Sequence, residues 1–121
     1  MAAPNIFNAT SILGKTDVLA VPASPTITAI TTCAADKLYK INSLVIANID
    51  ATNAADISVD LFRSSVAYKI ASTIAVPADS TLVVISKDMG FYLEEGDALR
   101  VSGSAALRLQ AFCSYEIIDD A

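Results

Sequence analysis

The sequence predicts an all-β protein: an antiparallel β-sandwich, jelly-roll-like, of about eight to ten short strands. Three observations predict it. Apolar residues recur with period two along most of the chain, as they do on a half-buried strand. Val and Ile together number 22, and Thr adds 9; these β-branched side chains fit a pleated surface better than a helix. Turn-forming residues interrupt the apolar runs at roughly 8–12-residue intervals, the spacing of a sandwich or barrel. The 21 alanines favour helix by propensity, but they form no i, i+3, i+4 stripe.

The elements follow in order. Two N-terminal pieces, residues 6–13 and 17–21, are separated by a turn signal at Gly14-Lys15. Pro22-Ala23-Ser24-Pro25 reads as a linker, which divides the chain into 1–22, an N-terminal arm or edge strands, and 23–121, the sandwich domain. A short strand is expected over 26–32. From Tyr39 to Ile49 the odd positions are Tyr39, Ile41, Ser43, Val45, Ala47 and Ile49, while Leu38, Leu44 and Ile46 sit at even ones. Apolar residues at both parities predict burial on both faces. A helical turn is an option near 50–55. Ile57-Ser58-Val59-Asp60-Leu61 alternates cleanly. Tyr68, Ile70, Ser72, Ile74 and Val76 share a further face, and shorter strands are expected over 81–86, 90–93 and 98–102. The last strand is the clearest: Leu107, Leu109, Ala111, Cys113, Tyr115 and Ile117 alternate with Arg108, Gln110, Ser114 and Glu116, and Phe112 breaks the polar side.

Composition excludes several kinds of chemistry. The 121 residues contain 13 acidic and 8 basic side chains, no His and no Trp, for a net charge of −5. An acidic surface repels phosphate, so nucleic acid is not an expected partner. No apolar run is long enough to cross a bilayer, so neither is a membrane. Without His, neither a Ser-His-Asp nor a Cys-His arrangement is possible, and the commonest zinc ligand is missing. There is no glycine-rich phosphate loop. No enzyme activity, cofactor or metal is expected. Glu94, Glu95 and Asp97 surround Gly96 as a solvated hairpin turn, and Asp50, Asp56 and Asp60 flank a loop and an outward strand face. Cys33 and Cys113 show no metal or CxxC spacing; two buried thiols are favoured over a disulfide.

Apolar residues make up 54% of the chain, above the ~45–50% of an average globular protein. A sandwich of this size cannot bury them all, so an exposed apolar patch is expected, and with it an interaction surface. The candidate contact residues are Ile6, Phe7 and Ile12 near the N-terminus, the adjacent pair Phe91-Tyr92, and Phe112. Homo-oligomerisation or docking on a scaffold would cover them.

The stretch from Tyr39 through Asn48-Ile49-Asp50-Ala51-Thr52-Asn53 to Ile57 resembles a family of small virion structural proteins of tailed phages, especially those of marine and cyanobacterial hosts. Ile74-Ala75-Val76-Pro77-Ala78-Asp79-Ser80, Phe91-Tyr92-Leu93-Glu94-Glu95-Gly96-Asp97 and Ser114-Tyr115-Glu116 agree with it, as does the opening Met1-Ala2-Ala3-Pro4-Asn5-Ile6. The 60–72 segment is shorter than the family pattern. The resemblance implies a structural part of the particle, and a small, acidic, apolar-rich sandwich suits a capsid decoration (cement) protein on the outside of the major capsid shell, made in the host cytoplasm. It would bind the major capsid protein or other virion proteins and copies of itself, a trimer ahead of a dimer. A neck, tail or fibre component of the same virion is the alternative, and a glycan-binding module a second one.

Overall fold

The computed structural model describes residues 9–119. Nine strands lie among the described residues: β1 (Ser11–Ala20), β2 (Thr28–Thr32), β3 (Leu38–Asn48), β4 (Ala55–Arg63), β5 (Val66–Val76), β6 (Thr81–Ile85), β7 (Phe91–Leu93), β8 (Ala98–Gly103) and β9 (Leu109–Asp119). The one helical segment among the described residues is the 3-10 turn Lys87–Met89.

The strands form two antiparallel sheets. The first has the order β1-β9-β3-β6, with β7 also pairing β3; the second has the order β2-β8-β4-β5. Outer strands of the sequence pair with one another (β1 with β9, β2 with β8) and inner ones likewise (β3 with β6 and β7, β4 with β5). A long antiparallel ribbon folded over on itself gives this order, which is the two-Greek-key jelly roll. The core lies between the sheets. Ile41, Leu44, Ile46, Ile57, Leu93, Leu99 and Val101 are fully buried there, with Ala111 and Cys113.

Local chemistry explains the turns. Ser64 and Ser65 both take positive φ, at 52° and 63°, which is the two-residue hairpin geometry that matches strand twist. Gly96 sits at φ 87° and lets Asp97 N–H reach the Glu94 carbonyl at 2.9 Å. Gly90 is needed for a different reason. A Cβ there would lie 2.7 Å from the Ile41 carbonyl oxygen, so only glycine lets the chain enter β7 this close to β3.

Several expectations need correction. Gly14-Lys15 is no turn: β1 runs unbroken through it, in one continuous register with β9 from Ser11↔Asp119 to Ala20↔Gln110. A side chain at Gly14 would meet nothing within 4 Å, so glycine marks an open strand edge there. The segment after β1 is tied down. Val21 is buried, its N–H donates to the Leu109 carbonyl at 3.0 Å, and Ser24 N–H donates to the Gly103 carbonyl at 2.7 Å. Strand β3 is not buried on both faces. A bulge between Ile41 and Ser43 shifts the phase, so Tyr39 and Ile41 face the core before it and Leu44 and Ile46 after it. No helical turn forms near 50–55. Instead the Asp50 carboxylate accepts N–H groups from Thr52 at 2.8 Å and Asn53 at 3.1 Å, which competes successfully with helix. The last strand begins at Leu109, because Leu107 takes φ 65° and is 86% exposed.

Candidate functional site

The face of the first sheet that points away from the core is built by register. Along β9 the core takes Leu109, Ala111, Cys113, Tyr115 and Ile117, so Gln110, Phe112, Ser114 and Glu116 point outward. Directly paired residues share a face. Phe112 pairs with Val18 on one side and with Val45 on the other, and Val45 pairs with Val83. Four apolar side chains from β1, β9, β3 and β6 thus make one row across the sheet. Val18 is 66% exposed, Val83 56% and Phe112 38%. A depression of about 220 Å³ opens at the β1–β9 end of this row, lined by Val18, Leu19, Ala20, Gln110, Ala111 and Phe112.

The neighbouring rows are small or neutral. Ala20, Gln110, Ala47 and Thr81 lie on one side, and Thr16, Ser114 and Ser43 on the other. Beyond them Gly14, Glu116, Lys40 and Tyr92 align. Glu116 and Lys40 sit directly opposite each other, which places opposite charges within reach across the strands.

A second apolar strip follows β5, the edge strand of the other sheet. Val66, Tyr68, Ile70 and Ile74 are all exposed. Two register shifts against β4 bend this edge, a device that hinders pairing with another strand.

The buried charges are occupied structurally. Asp60 is 2% exposed and accepts from Nε and Nη2 of Arg100, at 2.8 and 3.0 Å. The Arg100 guanidinium lies 3.9 Å from the Phe62 ring centroid, a cation–π contact that holds it in place. Asp97 corrects the expectation of a solvated Glu94–Asp97 turn. It is 3% exposed and accepts from Arg63 at 2.9 Å and from the Glu94 N–H at 2.9 Å. Donating to the Asp97 carboxylate raises the Arg63 pKa further. Among the described residues no group of three or more His, Cys, Asp or Glu side chains could hold a metal.

The thiols are unreactive in the fold. Cys33 and Cys113 are free and buried. Burial pushes Cys33 up to about 11 and Cys113 up to about 12, so both stay protonated and weakly nucleophilic. Burial also raises the Tyr115 phenol to about 12; its O–H donates to Asp17 at 2.7 Å, and its ring stacks on Tyr39 with centroids 5.1 Å apart.

A polar depression of about 260 Å³ lies on the second sheet, lined by Ser24, Asp56, Ser58, Thr73, Ser102, Gly103 and Ser104. Two of its hydroxyls are already engaged: Ser58 accepts the Thr73 N–H at 3.0 Å and Ser104 accepts the Asp56 N–H at 2.9 Å.

Of the residues singled out from sequence, the structure brings Ile12, Tyr92 and Phe112 to the outer face of the first sheet. Phe91 turns the other way and packs against the core, because it pairs with the inward-facing Ile41. Ile6 and Phe7 lie outside the described residues. Val18, Val45 and Val83 were not singled out. Each looks like an ordinary strand valine, and only the register aligns them.

No family model matches the chain, and no curated protein matches it. Among solved structures it is similar to a protein of Bacillus endospore appendages, a family of disulfide-linked pili, with a TM-score of 0.55 and 17% identity over 92% of this chain and 90% of that one. It is also similar to a chain of the T13 infectious bursal disease virus particle, with a TM-score of 0.49 and 8% identity, and to the VP2 subviral particle of that virus, with 0.45 and 12%. This chain is covered to 92% in both cases, but spans only 32% and 33% of those viral chains. The similarity to the appendage protein is one of fold: an all-β sandwich of two antiparallel sheets.

Proposed function

We propose that this protein is a structural subunit of a virion, a decoration protein that attaches to the outside of the major capsid shell and stabilises it. The observation that carries the reading is the contrast between its buried charges and its exposed apolar groups. Asp60 and Asp97 are consumed by Arg100 and Arg63, whereas Val18, Val83, Phe112, Val66 and Tyr68 face solvent. Such a molecule acts by burying surface against other proteins. The sequence resemblance to small virion proteins of tailed phages supplies the particle. The partner is the major capsid protein, and many equivalent sites on a shell add avidity to a modest contact.

Purified shells lacking the protein, incubated with it and sedimented, test the reading. Saturable co-sedimentation at on the order of hundreds of copies per particle is the expected result. Saturation at tens of copies or fewer would move the protein to the neck, tail or fibre. No retention on shells or whole particles would sink the virion reading.

A further inference from the structure

We infer that the outer face of the first sheet is a self-association surface, on which a second copy of this chain packs face to face about a twofold axis. The inference goes beyond attachment to a shell and stands without it.

Area allows such a contact. The face is four strands wide, and along β9 its outward positions with exposure run from Gln110 to Glu116, since Ile118 is buried. At about 4.8 Å between strands and about 3.4 Å per residue, this gives about 450 Å² per copy, or about 900 Å² in a pair. That is the size of a weak, reversible contact, below the about 1,200–2,000 Å² of standard interfaces.

Charge favours a second copy. The chain carries a net charge of −5, so two copies repel unless the surfaces that meet are neutral. In the paired rows of this face the charged side chains are Lys40 and Glu116, which oppose each other on adjacent strands. The face has no net charge for an oppositely charged partner to complement, but a copy of itself meets it without a penalty. A twofold contact must also be self-complementary. Here the row Val18–Phe112–Val45–Val83 crosses all four strands between rows that carry the small residues Ala20, Ala47, Ser43 and Ser114. Two such faces stack about 10 Å apart, as the layers of a sandwich do. The contact closes at two copies, in place of the trimer that the sequence resemblance favours.

Sedimentation velocity of the isolated full chain, from about 1 to 100 µM, tests this across the affinities such an interface supports. The wild type is expected to rise from the 12.6 kDa chain mass toward twice that mass as its concentration approaches about 100 µM. Val83→Glu and Phe112→Glu should hold it at the monomer mass while a cooperative thermal melt is retained, because Val83 is exposed and Phe112 lies at the surface. Tyr68→Glu, on the β5 strip, should leave the dimer intact. Val45 lies on this face, so Val45→Cys should join copy to copy through a bifunctional maleimide about 10 Å long, the spacing of packed sheets, while the buried native thiols do not react. A wild type that stays monomeric throughout, or a dimer that survives Val83→Glu, would overturn the inference. A monomeric wild type whose binding to shells is abolished by Val83→Glu would assign this face to the shell instead, overturning self-association while leaving the virion reading in place.

Discussion

Single residues in this molecule settle conflicts between local chemistry and the fold. Asn48 stands at an inward position yet is polar and 3% exposed. Its amide donates to the carbonyls of Asn53 at 3.0 Å and Val76 at 2.9 Å, and its oxygen accepts the Asp50 N–H. Every one of these bonds ties the loop after β3 to the strands around it, so the buried amide is fully satisfied. Asp50 continues the network. N–H groups of Thr52 and Asn53 hold its carboxyl down at about 2, from an ordinary 3.8, and Arg108 lies 3.1 Å away. A depressed pKa means that the unfolded chain binds the proton first as pH falls. The stabilisation is complete above pH 3.8 and is lost as pH drops toward 2. Asp50→Asn should therefore melt a few degrees below wild type at neutral pH and converge with it near pH 2. Thermal melts across that range measure it, and a constant offset down to pH 2 would rule out the carboxylate as the cause.

At the scale of the element, most strands are visible in the sequence because their alternation is local. Ile57-Ser58-Val59-Asp60-Leu61 lies within β4, and the alternation from Leu109 to Ile117 lies within β9. Strand β3 shows where such reading fails. Its apolar residues occupy both parities, which is the pattern of a strand buried on two faces, but the cause is a bulge at Asn42 that switches parity halfway. A bulge is a property of the pairing with β9 and leaves little trace in one strand's composition. Gly14-Lys15 misleads similarly, since a glycine in an open edge strand looks like a turn. Deleting Asn42 tests the account of β3. Ile41↔Tyr115 and Ser43↔Ser114 would become consecutive pairs, so a regular alternation keeps Ile41, Leu44 and Ile46 in the core and Val45 outside. The expected change in denaturant unfolding is within about 2 kcal/mol of wild type. A loss on the order of 4 kcal/mol or more, the range of severe core disruption, would show that the facing of β3 does not turn on this extra residue.

For the whole molecule, the closing contact is between the ends of the described chain. Strand β1 pairs with β9 over its full length, and β9 in turn lies against β3 at the centre of the sheet. Shortening the chain to start at Pro22 would remove β1, the Asp17 acceptor of Tyr115 and the buried Val21. It would also leave β9, with Ala111, Cys113 and Tyr115 on its inner face, as a raw edge. We expect the shortened chain to lose its cooperative thermal transition or to aggregate, as an unprotected edge does. Melting within a few degrees of the full chain would instead mark β1 as a dispensable attachment.

The sequence by itself determined that the chain is all β, where most strands fall, which side chains regular strands such as β4 and β9 turn inward, and that more apolar surface exists than one sandwich can bury. These are consequences of local periodicity and composition. Only the tertiary structure decided that Val18, Val45 and Val83 line up with Phe112, that Phe91 turns inward while Tyr92 does not, and that Asp97 is buried against Arg63. Each of these depends on the register between strands distant in the chain, and register is set by the fit of the whole core rather than by any one segment's own residues.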